Sequence, residues 1–583
     1  MGFVHGARRG QLLGGLLCAS LVLLAVLFPD PPALQSSRAP PEMTIAGARL
    51  FRLGLVFQGI VLLAVAVLAP RWQSTRAAGD PPLWSLSPVG ARSDSIWLVG
   101  AVLALALLLR LIQLNSCLWY DEVVTLTESV RLPYSELVWS YPDQNQHPFY
   151  SLSARATVLL LGESPWTLRL PAVLFGVAGL AVLYRFAERW TAWPEPLLAT
   201  CLLAVSYHHV LFSQNARGYT ELLFWTLLGS WLFVENVGRS RFWPWVLYAA
   251  VMALALFTHL TAAFVVAAHL ANYVFLAARK WLTQRRLGKL DLLPLGGIFL
   301  TGLFAFQLYA TVLPQVLGSF LSQGGGVRVE PWTDPRWGLR QVIEGFQIGY
   351  AGMFGVAAAA LVLIAGLASW TRRSPLVVAL FVLPCVFGLS AMLLLHRHMY
   401  PRFFFNAIPF VALLIVRGMF VLSGLAMRAL AAPQNREQGA RRLGVVSVAL
   451  MLMLSAASLV LCYRYPKQDY LSALAYVREV RQPDDPVVTV GMAAIPIGRY
   501  YDPDVTVVDS AQELEEIRAR HADHGTWLIY TFPDHLRSYH KDIVAAIAAD
   551  FVEVRSFPGT IPGGAVIVGR AEPMIAAPRY ASH

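Results

Sequence analysis

The chain has 583 residues, of which 56% are hydrophobic and only 14% are charged. A soluble domain carries about 25% charged residues, so this composition excludes a purely soluble protein. The formal net charge is +11, but the lysines and arginines lie in gaps between apolar runs and form no single basic face, which argues against a nucleic-acid partner.

Apolar runs long enough to cross a bilayer recur from residue 12 to residue 462. A spanning helix needs about 20 mostly apolar residues. The first run, which follows Arg8-Arg9, fits a signal peptide or an anchor; its length and the lack of a clear cleavage site favour an anchor. Only Thr258-His259 separates the seventh run from the eighth. The sequence predicts thirteen spans, at residues 11–28, 51–69, 95–114, 168–187, 196–212, 217–237, 243–257, 259–277, 292–313, 346–369, 376–395, 403–425 and 443–462.

Basic residues of the short loops predict the orientation, because such residues stay on the cytoplasmic side. If the chain crosses the membrane thirteen times, every loop that is rich in Lys and Arg falls on the same side. These gaps hold Arg8, Arg9; Arg71, Arg76, Arg92; Arg185, Arg189; Arg239, Arg241; Arg279, Lys280, Arg285, Arg286, Lys289; Arg372, Arg373; and Arg428, Arg436, Arg441, Arg442. The N-terminus is therefore expected inside and the C-terminal segment outside, in a bacterial inner or plasma membrane.

After residue 462 the pattern changes to short apolar strand-like runs that alternate with helical stretches. This alternation predicts a small soluble α/β domain, with a lid or acceptor-docking role. The expected fold class is thus an α-helical polytopic membrane protein with a C-terminal α/β domain. Its expected parts are a two-span extension (1–94), a transmembrane catalytic module (95–462) and an outer-face domain (463–583). The strand-like runs are Val487–Val490, Val505–Val508, Trp527–Tyr530, Phe551–Val554 and Ala565–Val568.

The five cysteines include no C-x-x-C pair, so neither a disulfide framework nor a thiolate zinc site is indicated. Cys18, Cys201 and Cys385 sit inside apolar runs and are expected to pack there. Cys117 and Cys462 both fall near the outer face, where a bridge between them stays open.

Polar residues gather in the outer gaps, at one depth. The first large outer loop opens with Trp119-Tyr120-Asp121-Glu122, whose aromatic pair is expected at the membrane surface. The remaining outer candidates are His147, Tyr150, Arg217, Tyr219, His259, Arg397, Tyr400 and Arg402. Each alone also fits a solvated helix end, a headgroup anchor or a packed interfacial side chain.

Together these residue types point to glycosyl transfer. A carboxylate takes the proton of an acceptor hydroxyl, and guanidinium forks hold a phosphate leaving group. We predict Asp121 as the base and Glu122 as an orienting carboxylate, since adjacent side chains cannot both reach one hydroxyl. Donor-phosphate candidates are Arg110, Arg217, Arg397 and Arg402; Arg110, one turn inside the third span, could instead reach outward to the interface. Substrate-site candidates are His147, Tyr150, Tyr219, His259 and Tyr400.

The motifs that hold these residues resemble the protein O-mannosyltransferase and aminoarabinose-transferase group of C-type (GT-C) membrane glycosyltransferases. The resemblance covers about residues 95–500. It rests on Leu109-Arg110-Leu111 with Leu118-Trp119-Tyr120-Asp121-Glu122; His147-Pro148-x-Tyr150; Trp166-x-x-Arg169-Leu170-Pro171; Ser213-Gln214-x-Ala216-Arg217-x-Tyr219; Thr258-His259; Arg402-Phe403 with Ile408-Pro409; and Lys467-Gln468-Asp469-Tyr470.

The resemblance implies a polyprenyl-phosphate sugar donor, an essential carboxylate at Asp121 and polar residues of later outer loops around the lipid phosphate. The acceptor would be a lipid, a glycan or a protein. Relatives often carry an acid where this chain has Asn215, which leaves a second carboxylate or a metal there in doubt. No cofactor is required by these residues; a divalent metal stays open.

Three other classes fit the sequence less well. A transporter or flippase of lipid-linked sugars would have polar residues near the midplane and an inverted repeat. A non-catalytic scaffold leaves the polar outer residues without a purpose. An oligosaccharide ligase or polymerase would use a pyrophosphate carrier in place of a monophosphate.

Overall fold

Helices dominate the computed structural model, which describes residues 2–27, 39–72, 82–83, 96–142, 146–239, 241–322, 334, 336–337, 340, 353–395 and 400–574. The long or apolar helices are Gly2–Leu27, Pro41–Trp72, Ile96–Leu111, Pro165–Trp190, Glu195–Ala204, Tyr207–Ser213, Tyr219–Asn236, Trp243–Thr258, Ala262–Gln284, Leu293–Tyr309, Met353–Arg373, Pro375–Leu394, Ile408–Leu430 and Arg436–Arg464.

A helix coincides with each of the thirteen predicted spans, although residues 346–352 of the tenth lie outside the described part of the chain. By length and composition, eight helices of the described residues are able to cross a membrane. Glu195–Ala204 and Tyr207–Ser213 make a ninth span if taken as one span bent by 58°. Gly15–Leu27, Ile96–Leu111 and Trp243–Thr258 are apolar but shorter. The chain is therefore an integral membrane protein, as the composition predicted.

Helix Pro165–Trp190 lies at the centre of the bundle. It packs against Ile96–Leu111, Pro148–Leu161, Glu195–Ala204 and Tyr219–Asn236. A glycine on this helix allows a close approach, because a Cβ at Gly176 would lie 2.4 Å from the Ser213 hydroxyl oxygen. The two helices on either side of the bend after Ala204 also contact the third span, Ile96–Leu111.

The Asp121 loop, residues 115–164, is built from short helices that pack beside the bundle. Its elements are Tyr120–Thr125, a π-helical turn at Leu126–Val130, Tyr134–Leu137 and Pro148–Leu161. Proline at the first position of Pro148–Leu161 suits a helix start, where the missing N–H is not needed.

The C-terminal domain contains one five-stranded sheet, which confirms the predicted α/β character. Its order is β2-β1-β3-β5-β4, with β1 parallel to β2 and β3, and β5 antiparallel to β3 and β4. Both faces are covered at β1, whose residues are all buried, so its sequence is apolar apart from one threonine. The strands are β1 Val487–Val490, β2 Thr506–Val508, β3 Thr526–Thr531, β4 Val552–Phe557 and β5 Val566–Ala571; the helices are Tyr470–Val480, Ala511–Arg520, Pro533–Tyr539 and Lys541–Asp550.

The C-terminal domain sits directly on the Asp121 loop. Tyr501 donates a hydrogen bond of 2.8 Å to the Leu118 carbonyl, and Arg499 pairs with Glu128 at 3.2 Å. The loop and the domain therefore lie on the same side of the bundle. The domain boundaries proposed from the sequence stay predictions.

Cys117 and Cys462 are free thiols, so the bridge left open by the sequence is not formed. Cys117 instead donates a hydrogen bond of 3.0 Å to the Gln468 carbonyl. Cys462 packs in an apolar cluster with Val210 and Leu459.

Orientation can be measured by labelling single cysteines in a background with the native cysteines replaced. Ser135→Cys in the Asp121 loop and Ala519→Cys in the C-terminal domain are exposed positions on one side; Gln438→Cys is exposed in the opposite, basic gap. A membrane-impermeant maleimide should label the first two in intact cells and the third only after lysis. Labelling of Ser135→Cys without Ala519→Cys would contradict the topology.

Candidate active site

Glu122 is the most heavily bonded carboxylate at the loop side of the bundle. Arg169 holds it with two bonds, from Nε to Oε1 at 2.8 Å and from Nη2 to Oε2 at 2.6 Å. The Ala216 backbone N–H donates to Oε1 at 2.8 Å, and Lys467 Nζ lies 3.3 Å from the same oxygen. The side chain is fully buried, so Glu122 has no open side for a substrate.

Electrostatics keep Glu122 ionised. Burial raises the pKa of this carboxyl, but the charges of Arg169 and Lys467, with hydrogen bonds from Arg169 and Ala216, outweigh burial and lower it to about 2. Burial, together with the charge of Arg169, lowers the pKa of Lys467 to about 8 against the opposing effect of Glu122. This is the setting of a carboxylate that orients the loop; the role of Glu122 stays a prediction.

Asp121 points away from its neighbour. It lies in the first turn of Tyr120–Thr125, and its Oδ2 accepts a hydrogen bond of 3.1 Å from Arg402 Nη1. Only 6% of its side chain is exposed, against 24% for Arg402. The two adjacent acids thus have separate surroundings, and only Asp121 lies beside a partly accessible guanidinium.

Arg402 is held by an aromatic ring as well as by the acid. Its guanidinium carbon lies 4.4 Å from the ring centre of Tyr400, in a cation–π contact. The Arg402 Nε has no hydrogen-bond partner among the described residues.

A second guanidinium, two histidines and a tyrosine complete the cluster. Arg217 Nη1 donates to the Thr125 hydroxyl at 3.1 Å. The His147 ring lies 4.8 Å from His259 and 5.0 Å from Tyr219, measured between ring centres. We call Asp121, His147, Arg217, Tyr219, His259, Tyr400 and Arg402 the loop-side cluster.

Both histidines of the loop-side cluster are neutral. Burial lowers the pKa of His147 well below its usual value, and the charges of Arg217 and Arg402 add to this. Burial and the same two arginines lower the pKa of His259 to about 3. The Thr261 backbone N–H lies 3.2 Å from His259 Nδ1, so Nδ1 accepts and Nε2 carries the proton. The loop-side cluster itself contains two arginines and one carboxylate.

The structure does not bring all predicted residues together. Arg110 is fully buried in the bundle, where it bonds the Ser213 hydroxyl (3.0 Å), His209 Nδ1 (2.6 Å) and the Ala106 and Ala204 carbonyls. Its guanidinium is satisfied there and is not presented to a lipid phosphate. Tyr150 is also fully buried, with its hydroxyl on the Leu168 carbonyl at 2.6 Å. Arg397 lies outside the described residues.

Trp119 is placed differently from the expectation of a membrane-surface anchor. It is 4% exposed, and its indole N–H donates to Asn215 Oδ1 at 3.0 Å. The neutral side-chain amide of Asn215 therefore fixes the loop to the bundle through an ordinary hydrogen bond.

Three important residues were present in the motifs but not chosen as site residues: Arg169, Lys467 and Gln468. Arg169 carries a signal that sequence reasoning could have used, because it is a charge inside a predicted span and such charges are paired or functional. Lys467 and Gln468 carry no such signal, since they lie in a polar junction where a solvated side chain is the ordinary expectation.

No group of three or more His, Cys, Asp and Glu side chains among the described residues has the arrangement of a metal site. The divalent metal left open by the sequence is not tested by this observation.

Comparison with known proteins agrees with the motifs. The model of the dolichyl-phosphate-mannose-protein mannosyltransferase family matches residues 145–306. This stretch holds four residues of the loop-side cluster (His147, Arg217, Tyr219 and His259) and Arg169, which pairs with Glu122. The resemblance to membrane glycosyltransferases is thereby confirmed over this stretch. No curated protein sequence matches the chain.

Several solved membrane glycosyltransferases align with the chain at low sequence identity and with TM-scores below 0.5. ArnT from Cupriavidus metallidurans bound to undecaprenyl phosphate is 14% identical, with 83% of this chain and 98% of that chain covered and a TM-score of 0.44. Arabinosyltransferase EmbB from Mycobacterium smegmatis is 15% identical over 71% of this chain and 45% of that one, with a TM-score of 0.42. The oligosaccharyltransferase AglB from Archaeoglobus fulgidus is 11% identical over 83% and 75%, with a TM-score of 0.42.

Glu122→Gln should destabilise the protein, because it removes the negative charge that balances buried Arg169. Breaking one side of a buried ion pair costs about 3–5 kcal/mol. The unfolding temperature in detergent should fall clearly. The matched control is Glu163→Gln, in the exposed pair with Arg131, where a loss of about 0–1 kcal/mol is expected. Equal unfolding temperatures for the two variants would show that Glu122 is not a structural anchor.

Proposed function

We propose that the chain is a glycosyltransferase that moves a sugar from a polyprenyl-phosphate donor to an acceptor hydroxyl. The observation that carries this proposal is the Asp121–Arg402 contact of 3.1 Å within the loop-side cluster. A carboxylate beside a guanidinium, with a second arginine in the same cluster, supplies the residue types of a base and a phosphate-binding group. The site is proposed on the non-cytoplasmic face, from the basic residues of the opposite gaps.

The donor phosphate is proposed to bind Arg402 and Arg217. The Arg402 side chain is 24% exposed, and a planar guanidinium matches the phosphate oxygens with two parallel bonds. The contact of the Arg402 guanidinium with the Tyr400 ring helps to hold the guanidinium in place. The polyprenyl chain would lie along the apolar surfaces of the spans.

The reaction follows from these positions. The acceptor oxygen attacks the anomeric carbon, Asp121 takes the hydroxyl proton, and the bond from the anomeric carbon to the phosphate oxygen breaks. The lipid phosphate leaves with the electron pair, and the arginines stabilise its added charge. We propose an inverting transfer, in which the acceptor oxygen attacks the face of the anomeric carbon opposite the departing phosphate. The sugar, hexose or pentose, and the acceptor, whether lipid, glycan or protein, are not specified by these contacts.

The two neutral histidines suit the same site. The pKa of His259 is lowered to about 3, by burial above all, so its Nε2–H can donate to a sugar hydroxyl without adding charge. Tyr219 and His147 border the same space. These groups are proposed to orient the donor sugar, and catalysis gains from such positioning.

Asp121→Asn tests the base. Asparagine is nearly isosteric and keeps a hydrogen-bond acceptor for Arg402, but it cannot take a proton at neutral pH. General-base catalysis contributes about 10²–10⁴ in rate, so transfer of a radiolabelled sugar from its polyprenyl phosphate should fall by that factor at an unchanged protein level. Glu163→Gln, an acid-to-amide change elsewhere in the Asp121 loop, should keep parental transfer. Near-parental transfer by Asp121→Asn would rule out this role.

Arg402→Lys tests the phosphate grip. Lysine keeps the positive charge but cannot make two parallel bonds, so the KM for the donor should rise about tenfold or more while expression is unchanged. Arg131→Lys is the control, because Arg131 makes a two-bond contact with the exposed Glu163, away from the loop-side cluster. A donor KM that is the same for the Arg402 variant and the parent would remove Arg402 from the phosphate site.

A further inference from the structure

The junction between the last span and the C-terminal domain is bonded more densely than a linker requires. Gln468 is fully buried and Lys467 is 6% exposed, although both are polar and lie between two folded parts. Lys467 Nζ donates to the Gln214 carbonyl at 2.6 Å and approaches Glu122. The Gln468 carbonyl accepts the Cys117 thiol.

The side chain of Gln468 joins the two parts. Its Oε1 accepts the backbone N–H of Tyr120 at 2.9 Å, and its Nε2 donates to the hydroxyl of Thr531 at 3.0 Å. Thr531 in turn donates to the Ala565 carbonyl at 3.0 Å. Because the Tyr120 N–H can only donate, the oxygen of the amide must face it, and the direction of the whole bridge is fixed.

The donor at the start of this bridge is the first N–H of helix Tyr120–Thr125, one residue before Asp121. The first N–H groups of a helix have no partner within the helix. Gln468 supplies the partner for this one, and so it fixes the start of the turn that presents the Asp121 carboxylate to Arg402.

The C-terminal domain also grips the junction from the other side. A Cβ at Gly559 would lie 2.2 Å from the Lys467 carbonyl oxygen, so the loop between β4 and β5 packs against the junction without a side chain between them. Thr560 N–H donates to Pro466 O at 3.0 Å and Ile561 N–H to Lys467 O at 3.3 Å. The junction is therefore attached to the C-terminal domain by backbone hydrogen bonds and close packing.

We infer that Gln468 is a positioning residue, and that the C-terminal domain, through Thr531 and Gln468, sets the placement of Asp121. The inference rests on the proposed function for its kinetic consequence, but not for the bridge itself. It replaces the expectation of a lid or acceptor-docking domain without influence on the chemistry. A docking domain would change how well an acceptor binds; a positioning domain changes how fast a bound acceptor reacts.

Thr531→Val removes the hydroxyl at the far end of the bridge while keeping the shape of the side chain. The matched control is Thr489→Val, since Thr489 is buried in neighbouring β1 and its hydroxyl donates to the Ile529 carbonyl at 2.9 Å. Both changes remove a buried hydroxyl from the same sheet, but only Thr531 contacts Gln468. Thr531→Ser keeps the hydroxyl and should restore parental behaviour. Gln468→Met breaks the bridge at its centre and should behave as Thr531→Val does.

Hydrogen exchange of the full-length protein in detergent or nanodiscs tests the bridge without any substrate. The amides of residues 119–125 should exchange about tenfold faster in Thr531→Val than in Thr489→Val, because the Gln468 amide that accepts the Tyr120 N–H loses its hydrogen bond to the sheet. Equal exchange in these two variants would overturn the inference. If the parent chain transfers no sugar, the proposed function fails, and this experiment still decides whether the bridge holds the loop.

Steady-state kinetics then test the positioning role. Thr531→Val should lower kcat about tenfold, the rate equivalent of one neutral hydrogen bond, with the KM values of donor and acceptor within twofold of the parent. Thr489→Val and Thr531→Ser should keep the parental kcat. An unchanged kcat with a raised acceptor KM would overturn the inference in favour of a docking domain.

Discussion

The buried ion pair of Glu122 and Arg169 is the contact on which the loop side of the molecule depends. Burying two charged side chains costs desolvation free energy. That cost is offset only when the remaining donors and acceptors of both side chains also form hydrogen bonds. Here Arg169 also donates hydrogen bonds to the carbonyls of Leu114, Ser116 and Cys117. Glu122 accepts hydrogen bonds from the Ala216 backbone N–H and from Lys467 Nζ. The Glu122–Arg169 pair therefore connects four parts of the chain: the end of the third span, helix Pro165–Trp190, the backbone at Ala216 and the junction to the C-terminal domain.

This arrangement explains why two adjacent acids have different surroundings. Because the two residues are adjacent in a helical turn, their side chains point in different directions: Glu122 contacts Arg169, and Asp121 contacts Arg402. Glu122 has all its bonding capacity filled by Arg169, Ala216 and Lys467, whereas Asp121 has a single hydrogen bond from a side chain among the described residues. A base has to be able to exchange its partner for a substrate, and the saturated acid supplies the rigidity that this exchange needs.

Much of the fold was predictable because lipid imposes strong rules on sequence. Apolar length fixed the spans, and even the break at Thr258-His259 is real, since Trp243–Thr258 ends there and Ala262–Gln284 follows. The bend of 58° between Glu195–Ala204 and Tyr207–Ser213 was missed, because an apolar run has the same composition whether it is straight or bent. The strand-like runs of the C-terminal domain were correct in number and nearly in position.

The loop-side cluster was predictable in membership but not in detail. Counting spans placed Asp121, His147, Arg217, Tyr219, His259, Tyr400 and Arg402 at one depth, and the structure brings them together. Arg110 and Tyr150 were assigned to the site because sequence gives depth but not the direction of a side chain; both turn into the bundle and bond carbonyls. The bridge through Gln468 depends on contacts between residues more than 300 positions apart in sequence, which no local pattern shows.

The neutral state of His147 and His259 has a consequence for where such a protein can work. A compartment outside the cytoplasm takes its acidity from the surroundings, and a phosphate grip made of histidines would strengthen and weaken with each change in the medium. Burial beside Arg217 and Arg402 holds the pKa of both imidazoles far below that range, while guanidinium groups keep their charge throughout. At the proposed donor site, these two histidines would therefore not make phosphate binding depend on the acidity of the surroundings.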